Sequence, residues 1–242
     1  QVPLYQAMAE SLSLPTVRLG MDVGVGKVVD TLRALGVTQP IQAFPSLFLG
    51  TVALSPFEVN QMYLTLASEG LYQPLTTVRA VLGSGNQSLY QKDVKAERRV
   101  DARVSYLTLF TMTKVASQGT ARSLAARFPG AILAGKTGTT EAHRSSAFLG
   151  FTSAYAAANY IYADSPPPSD LCSFPLRQCG RGDLYGGHEP ARTWFTAMKQ
   201  FTPPNVVMPP TEPRYVDGGP GSKVPSVAGM DLDLAQNRIK EA

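Results

Sequence analysis

Three β-like runs, at residues 131–140, 145–152 and 155–163, follow one another with connections of only a few residues. Parallel strands need a crossover of about a dozen residues or more, so links this short predict an antiparallel meander. Such a sheet needs helices to cover it, and the rest of the chain offers them. Residues 3–36 read as two or three short helices, the last marked by the stripe Val25, Val28, Val29, Leu32 and Leu35 and stopped by Gly36. Ser55-Pro56-Phe57-Glu58 has the form of a capping box with proline at the first helical position. Its helix is expected to run to Glu69 and end at Gly70, with Val59, Met62, Tyr63 and Leu66 toward the core. Residues 76–82 and 88–91 are expected to form a hairpin around Gly83-Ser84-Gly85-Asn86. Asp101 is placed to cap a long helix ending at Gly119, and a last helix over 191–200 carries Trp194, Phe195 and Met198 on one side. Helices before and after an antiparallel sheet make an α+β fold.

The composition is that of a globular chain able to bury a core, 44% hydrophobic and 17% charged. Its formal charge of +4 is spread over scattered Lys and Arg rather than clustered, which argues against nucleic acid as a partner. No apolar run approaches the roughly 18 residues that span a bilayer. The chain opens at Gln1 in mid-pattern, so an anchor or targeting segment is expected upstream. Residues 202–222 are dense in proline and glycine and read as a linker. Beyond them, residues 223–242 are too few to bury a core and read as the start of a further, truncated domain. Cys172 and Cys179 sit in a long irregular loop over 165–189. One disulfide between them is the simple reading and favours an oxidising, extracytoplasmic compartment. A zinc site is the rival reading, but it needs two further ligands from a chain whose histidines are His143 and His188.

The stretch richest in chemistry is Gly135-Lys136-Thr137-Gly138-Thr139-Thr140, inside the first run of the meander. Glycine weakens a strand and lysine resists burial, so this is poor core material. It suits a strand edge that another backbone approaches: Gly138 removes the side chain that would block an extended peptide. Lys136, Thr137 and Thr139 then offer a cation and hydroxyls to a carboxylate, and the Thr139 amide can face a developing oxyanion. The same six residues, taken alone, also fit a Gly-rich surface turn. A P-loop is excluded, because the upstream glycine spacing is wrong.

Lys136-Thr137-Gly138 resembles the Lys-Thr-Gly box of the serine penicillin-recognising enzymes, the penicillin-binding proteins and related β-lactamases. Leu49-Gly50, Ser55-Pro56-Phe57-Glu58-Val59, Ala67-Ser68-Glu69-Gly70, Pro74, Gly119-Thr120-Ala121-Arg122 and Pro129-Gly130 resemble landmarks of the class A, bifunctional penicillin-binding proteins in the same order. The resemblance implies the α+β transpeptidase fold shared by penicillin-binding proteins and serine β-lactamases, truncated at its amino end, with residues 1–201 as the carboxy-terminal part of that domain. Val224-Pro225-Ser226-Val227-Ala228-Gly229-Met230 resembles the opening of a PASTA domain, and with the cysteine loop it looks most like the actinobacterial branch.

Family members attack the D-Ala-D-Ala end of a peptidoglycan stem peptide with the serine of a Ser-x-x-Lys box, and β-lactams imitate that donor. No Ser-x-x-Lys occurs in the 242 residues, so the nucleophile is expected upstream of Gln1 and the chain alone is expected to be inactive. Thr111-Met112-Thr113-Lys114 and Thr196-Ala197-Met198-Lys199 read as ordinary helical positions. The resemblance makes Lys136 and Ser11 catalytic, with Ser11 relaying a proton, and makes Ser13, Thr137, Gly138 and Thr139 substrate-binding. It implies no cofactor and no metal. Ser13 departs from the family's Ser-x-Asn box, since a hydroxyl lacks the planar donor and acceptor of asparagine; capping of a helix before Pro15 is the alternative for both serines. A second departure is Ser145-Ser146-Ala147-Phe148-Leu149-Gly150, where many relatives carry Asp and Trp. His143 and Arg144 read as solvated turn residues, and Tyr185-Gly186-Gly187-His188 as loop. The expected setting is the outer face of the bacterial plasma membrane, with a glycosyltransferase upstream and other cell-wall synthesis proteins as partners. The alternatives are a non-catalytic sensor of wall fragments or β-lactams, and a β-lactamase or D,D-carboxypeptidase.

Overall fold

The computed structural model describes residues 2–164, 166–167, 169–171 and 184–201, all within the first of the chain's two units, Gln1–Met208. The linker expected at 202–222, the segment 223–242, and Cys172 and Cys179 lie outside the described residues.

Three helices open the chain: α1 (Leu4–Ala9), α2 (Ser13–Val23) and α3 (Val25–Leu35), the last ended by Gly36 as its sequence predicts. A 3-10 turn at Pro45–Leu49 leads to α4 (Pro56–Ala67). The capping box forms: the Glu58 N–H donates to Ser55 Oγ at 3.2 Å, while the Glu58 carboxylate accepts from the Ser55 N–H at 3.3 Å. The helix stops two residues short of the expected Glu69, because Glu69 and Gly70 take φ of +56° and +83°.

Glu58 does more than cap. Only 6% exposed, its carboxylate also accepts from the N–H of Thr38 at 3.2 Å, the N–H of Gln39 at 3.1 Å and the Thr38 hydroxyl at 3.0 Å, tying the chain after α3 to α4. Burial pushes its carboxyl pKa up, but the N–H donors of Gln39, Ser55 and Thr38 and the Thr38 hydroxyl outweigh that and hold it below the usual value. Glu58→Ala strands three backbone N–H groups, those of Thr38, Gln39 and Ser55, and is expected to cost about 2–4 kcal/mol in urea denaturation. Because the folded pKa is depressed, this contribution is present above the unfolded carboxyl's pKa of about 4.3. It is lost as pH falls through the folded pKa.

Two small ladders follow, β1 (Leu71–Tyr72) with β4 (Glu97–Arg98) and, between them, the hairpin β2 (Ala80–Leu82) with β3 (Ser88–Gln91). The hairpin's first strand is shorter than expected. Thr76 turns its hydroxyl back on Val78, accepting from the N–H and donating to the carbonyl, a local alternative to the ladder. Next, α5 (Ala102–Ser117) starts at Asp101, whose carboxylate accepts from the Arg103 N–H at 2.8 Å. The short α6 (Ser123–Arg127) comes after it.

The meander is β5 (Ala134–Thr139), β6 (Ser145–Phe151) and β7 (Ala156–Tyr162), antiparallel in the spatial order β5-β6-β7. A 3-10 turn, Glu141–His143, joins the first two strands. The final helix α7 (Glu189–Met198) begins slightly earlier than expected, with Pro190 in its first turn. Alternation along β6 splits the core between the two faces of the sheet. Ala147, Leu149 and Phe151 pack with Tyr63 and Leu66 of α4 and with Leu109 and Met112 of α5. Phe148 packs on the other side with Leu124, Trp194 and Phe195, its ring edge-on to Trp194 at 5.3 Å. The Trp194 indole N–H donates to the Ala157 carbonyl at 2.9 Å and pins α7 to β7. No helix among the described residues is long and apolar enough to cross a membrane.

Candidate active site

Among the described residues β5 stands at one edge of the sheet, with a neighbouring strand on one side only. Residues 134–139 pair with 151–146 in simple antiparallel register, Lys136 opposite Leu149 and Gly138 opposite Ala147. The Thr140 N–H donates to the Ser145 carbonyl. Because backbone groups in an antiparallel ladder alternate sides, Gly138 and Lys136 also turn theirs toward β6, whereas Thr137 and Thr139 turn theirs outward. Burial along the strand falls from fully buried Ala134 and Gly135 to exposed Thr139, so the edge opens toward its carboxy end.

Lys136 is the third residue of β5. Its ammonium donates to Ser11 Oγ and, at 3.1 Å, to the Thr137 carbonyl, and it stands 3.4 Å from the Thr137 hydroxyl. Burial drives its pKa down to about 8. Ser11 reaches it from a strained turn. The N–H of Ser11 donates to the Met8 carbonyl and that of Leu12 to the Ala7 carbonyl, the Schellman pattern that ends α1. Its left-handed position, usually glycine, is held here by serine at φ +54°. The end of α1 is docked in turn on the end of α5: the Thr120 N–H donates to the Ala9 carbonyl at 3.0 Å, and a Cβ at Gly119 would strike that same carbonyl. A residue 125 positions away in sequence thus meets the strand lysine.

The two threonines of the box are also held. The Thr137 and Thr120 hydroxyls share a hydrogen bond at 2.7 Å, and the Thr139 hydroxyl accepts from the Gly186 N–H at 3.1 Å. Among the described residues a Cβ at Gly138 would meet only the Ala147 methyl, at 3.8 Å, which leaves the space over that glycine open to an approaching backbone. A largely apolar cavity of about 650 Å³ runs along this face, with Gly138, Thr139, Leu149, Met62, Phe48 and Leu19 among its walls.

Of the residues expected at the site, Lys136, Ser11, Thr137, Gly138 and Thr139 come together here. Ser13 does not join Lys136's hydrogen bonds; it is the exposed first residue of α2, and neither serine caps that helix, whose N-cap is Leu12. His143 turns its ring edge-on to Tyr185 at 4.8 Å, while Arg144 is exposed. Thr111 and Lys114 lie on α5, and Thr196 on α7 with Lys199 as its C-cap, none of them among the partners of Lys136 or Ser11. Sequence reasoning missed the supporting roles of Thr120 and Gly186. Thr120 lies in the Gly119-Thr120-Ala121-Arg122 stretch that resembles the family, whereas Gly186 lies in a Gly-Gly pair whose sequence suggests only a loop.

Residues 1–163 match the family described as the penicillin-binding protein transpeptidase domain. The chain is 40% identical over 172 residues to penicillin-binding protein 1B of Vibrio cholerae and 38% identical over 172 residues to that of Escherichia coli. Each alignment covers 71% of this chain but only 22% and 20% of those proteins, so the chain spans about a fifth of their length. Its fold is similar to that of PonA1 from Mycobacterium tuberculosis, with a TM-score of 0.72, 21% identity, and coverage of 86% of this chain and 59% of that one. It is equally similar to penicillin-binding protein 1A of Haemophilus influenzae, with a TM-score of 0.72, 16% identity, and coverage of 86% and 36%. The chain belongs to the penicillin-binding protein transpeptidase domains, on the class A branch of the 1A and 1B proteins.

Proposed function

We propose that this chain is the carboxylate-recognising part of a peptidoglycan D,D-transpeptidase that cross-links stem peptides through a serine acyl-enzyme. The observation that carries the reading is the Lys136 ammonium bonded to Ser11 beside the outward edge of β5. The nucleophile comes from a Ser-x-x-Lys segment outside the 242 residues, and the apolar cavity along β5 is the space that segment would fill. Its serine oxygen attacks the carbonyl carbon of the penultimate D-alanine, and the Thr139 N–H faces the resulting oxyanion. The C–N bond then breaks, and the terminal D-alanine leaves as an amine that takes a proton relayed through Ser11. An amine on a neighbouring strand attacks the ester, forms the cross-linking amide and releases the serine. Until that D-alanine departs, Lys136, Thr137 and Thr139 hold its carboxylate.

β-Lactams fit the same groups, in keeping with the structural relatives described with penicillin V and as a penicillin G acyl-enzyme. The further parts of the reading are a membrane anchor and glycosyltransferase in the whole protein, an extracytoplasmic site, a Cys172–Cys179 disulfide, and a linker followed by a PASTA start of actinobacterial kind. Other cell-wall synthesis proteins complete the expected partners. Ser13 in place of asparagine favours a second reading, a sensor that binds wall fragments or β-lactams without turnover. Labelled penicillin on the full-length protein separates them. A stable adduct on a Ser-x-x-Lys serine supports the transpeptidase, no adduct leaves the sensor, and rapid hydrolysis of the label points to a β-lactamase.

A further inference from the structure

We propose that the Gly-Gly segment ahead of α7 is a positioning element that sets the Thr139 hydroxyl for carboxylate recognition; this rests on the transpeptidase reading. Thr139 is the exposed end of β5, where an unsupported threonine hydroxyl would sample several rotamers. The Gly186 N–H selects one by donating to Thr139 Oγ1 at 3.1 Å. With an acceptor site of the oxygen filled by that N–H, the O–H hydrogen remains to be donated, the polarity a carboxylate needs.

The segment can do this only because it lies flat on the sheet. A Cβ at Gly186 would collide with the Ala147 carbonyl and, at 2.6 Å, with the Gly138 carbonyl. A Cβ at Gly187 would collide with the Thr120 carbonyl, the residue whose hydroxyl supports Thr137. Three further contacts clamp it. The Ser123 hydroxyl donates to the Gly187 carbonyl at 2.7 Å, the His188 N–H donates to the Tyr185 carbonyl at 2.9 Å, and the Tyr185 ring packs against His143 just beyond the strand. One short segment therefore touches the backbone or side chain of Gly138, Thr139 and Thr120 together. None of its residues is placed to meet the reacting bond, so its role is to position.

The test is the ratio of acylation rate constants for a penicillin and its carboxyl methyl ester, measured on the full-length protein. Gly186→Ala is expected to lower that ratio about five- to tenfold, as loss of one hydrogen bond to the charged group would. Ser123→Ala, which leaves both glycines in place, is expected to lower it about threefold and keeps the test readable if Gly186→Ala does not fold. Added to Thr139→Val, Ser123→Ala should change the ratio no further, because the hydroxyl it orients is gone. A ratio unchanged in Ser123→Ala, or both rates falling in parallel, overturns the proposal in favour of a merely structural segment. No adduct with either compound on the unsubstituted protein overturns the transpeptidase reading itself, and this proposal with it.

Discussion

Replacing Lys136 with alanine is expected to slow acylation of the full-length protein by penicillin about 10²–10³-fold, with little loss of thermal stability. The first half follows from position. Lys136 lies midway along β5, and its ammonium bonds both Ser11 and the Thr137 carbonyl. Removing one preorganised charged donor from such a site typically costs that much in rate. The second half follows from burial, which has already driven the Lys136 pKa down from 10.5 to about 8. A group whose folded pKa is lowered in this way disfavours the folded state while it is charged. The penalty is full below about pH 8 and relaxes as pH rises toward the unfolded value, so alanine removes a cost along with the charge. The same titration sets a pH limit on activity. Acylation by a carboxylate-bearing penicillin should decline as pH rises through about 8, where Lys136 loses its proton. Lys136→Arg, which stays charged, should retain activity in that range even if its overall rate is lower.

The second large effect is expected at Ser11. Ser11→Gly should make the protein more stable and less active at once. Serine at φ +54° occupies the left-handed position that ends α1, where a side chain costs about 1 kcal/mol and glycine nothing. Relief of that strain, less the added freedom of glycine in the unfolded chain, should raise Tm by about 1–3 °C. The lost hydroxyl is the partner of Lys136, and acylation should fall about 10²-fold or more. Ser11→Ala separates the two terms, because it removes the hydroxyl and keeps the strain: activity should fall equally while Tm does not rise. Strain retained at one residue, against a simple substitution that would relieve it, is the pattern of a functional position.

Much of this architecture is legible locally. Ser55 and Glu58 are three residues apart, and their capping box could be read directly. The meander β5-β6-β7 follows from the shortness of its connections, and the end of α3 from Gly36. The Lys-Thr-Gly box and Ser11 were named from family resemblance, and the structure joins them by a hydrogen bond no periodicity implies. What escaped reading are contacts between distant parts of the chain. Thr120 meets Thr137 across 17 residues, and Gly186 meets Thr139 across 47. Such pairings depend on how α5 and the segment before α7 settle on the sheet, which no local pattern encodes. The left-handed turn at Ser11 was hidden for a related reason, since its sequence carries no glycine to announce it. The short β1–β4 ladder pairs Leu71 with Arg98 and is too brief to leave an alternating pattern.

The most direct measurement is a crystal structure of the full-length protein acylated by a penicillin. The account predicts the ligand carboxylate within hydrogen-bond reach, about 2.6–3.2 Å, of the Thr137 and Thr139 hydroxyls and next to the Lys136 ammonium, with the ligand lying along the outer edge of β5. A carboxylate bound elsewhere, or a β5 edge covered by another strand of the same protein, would contradict it.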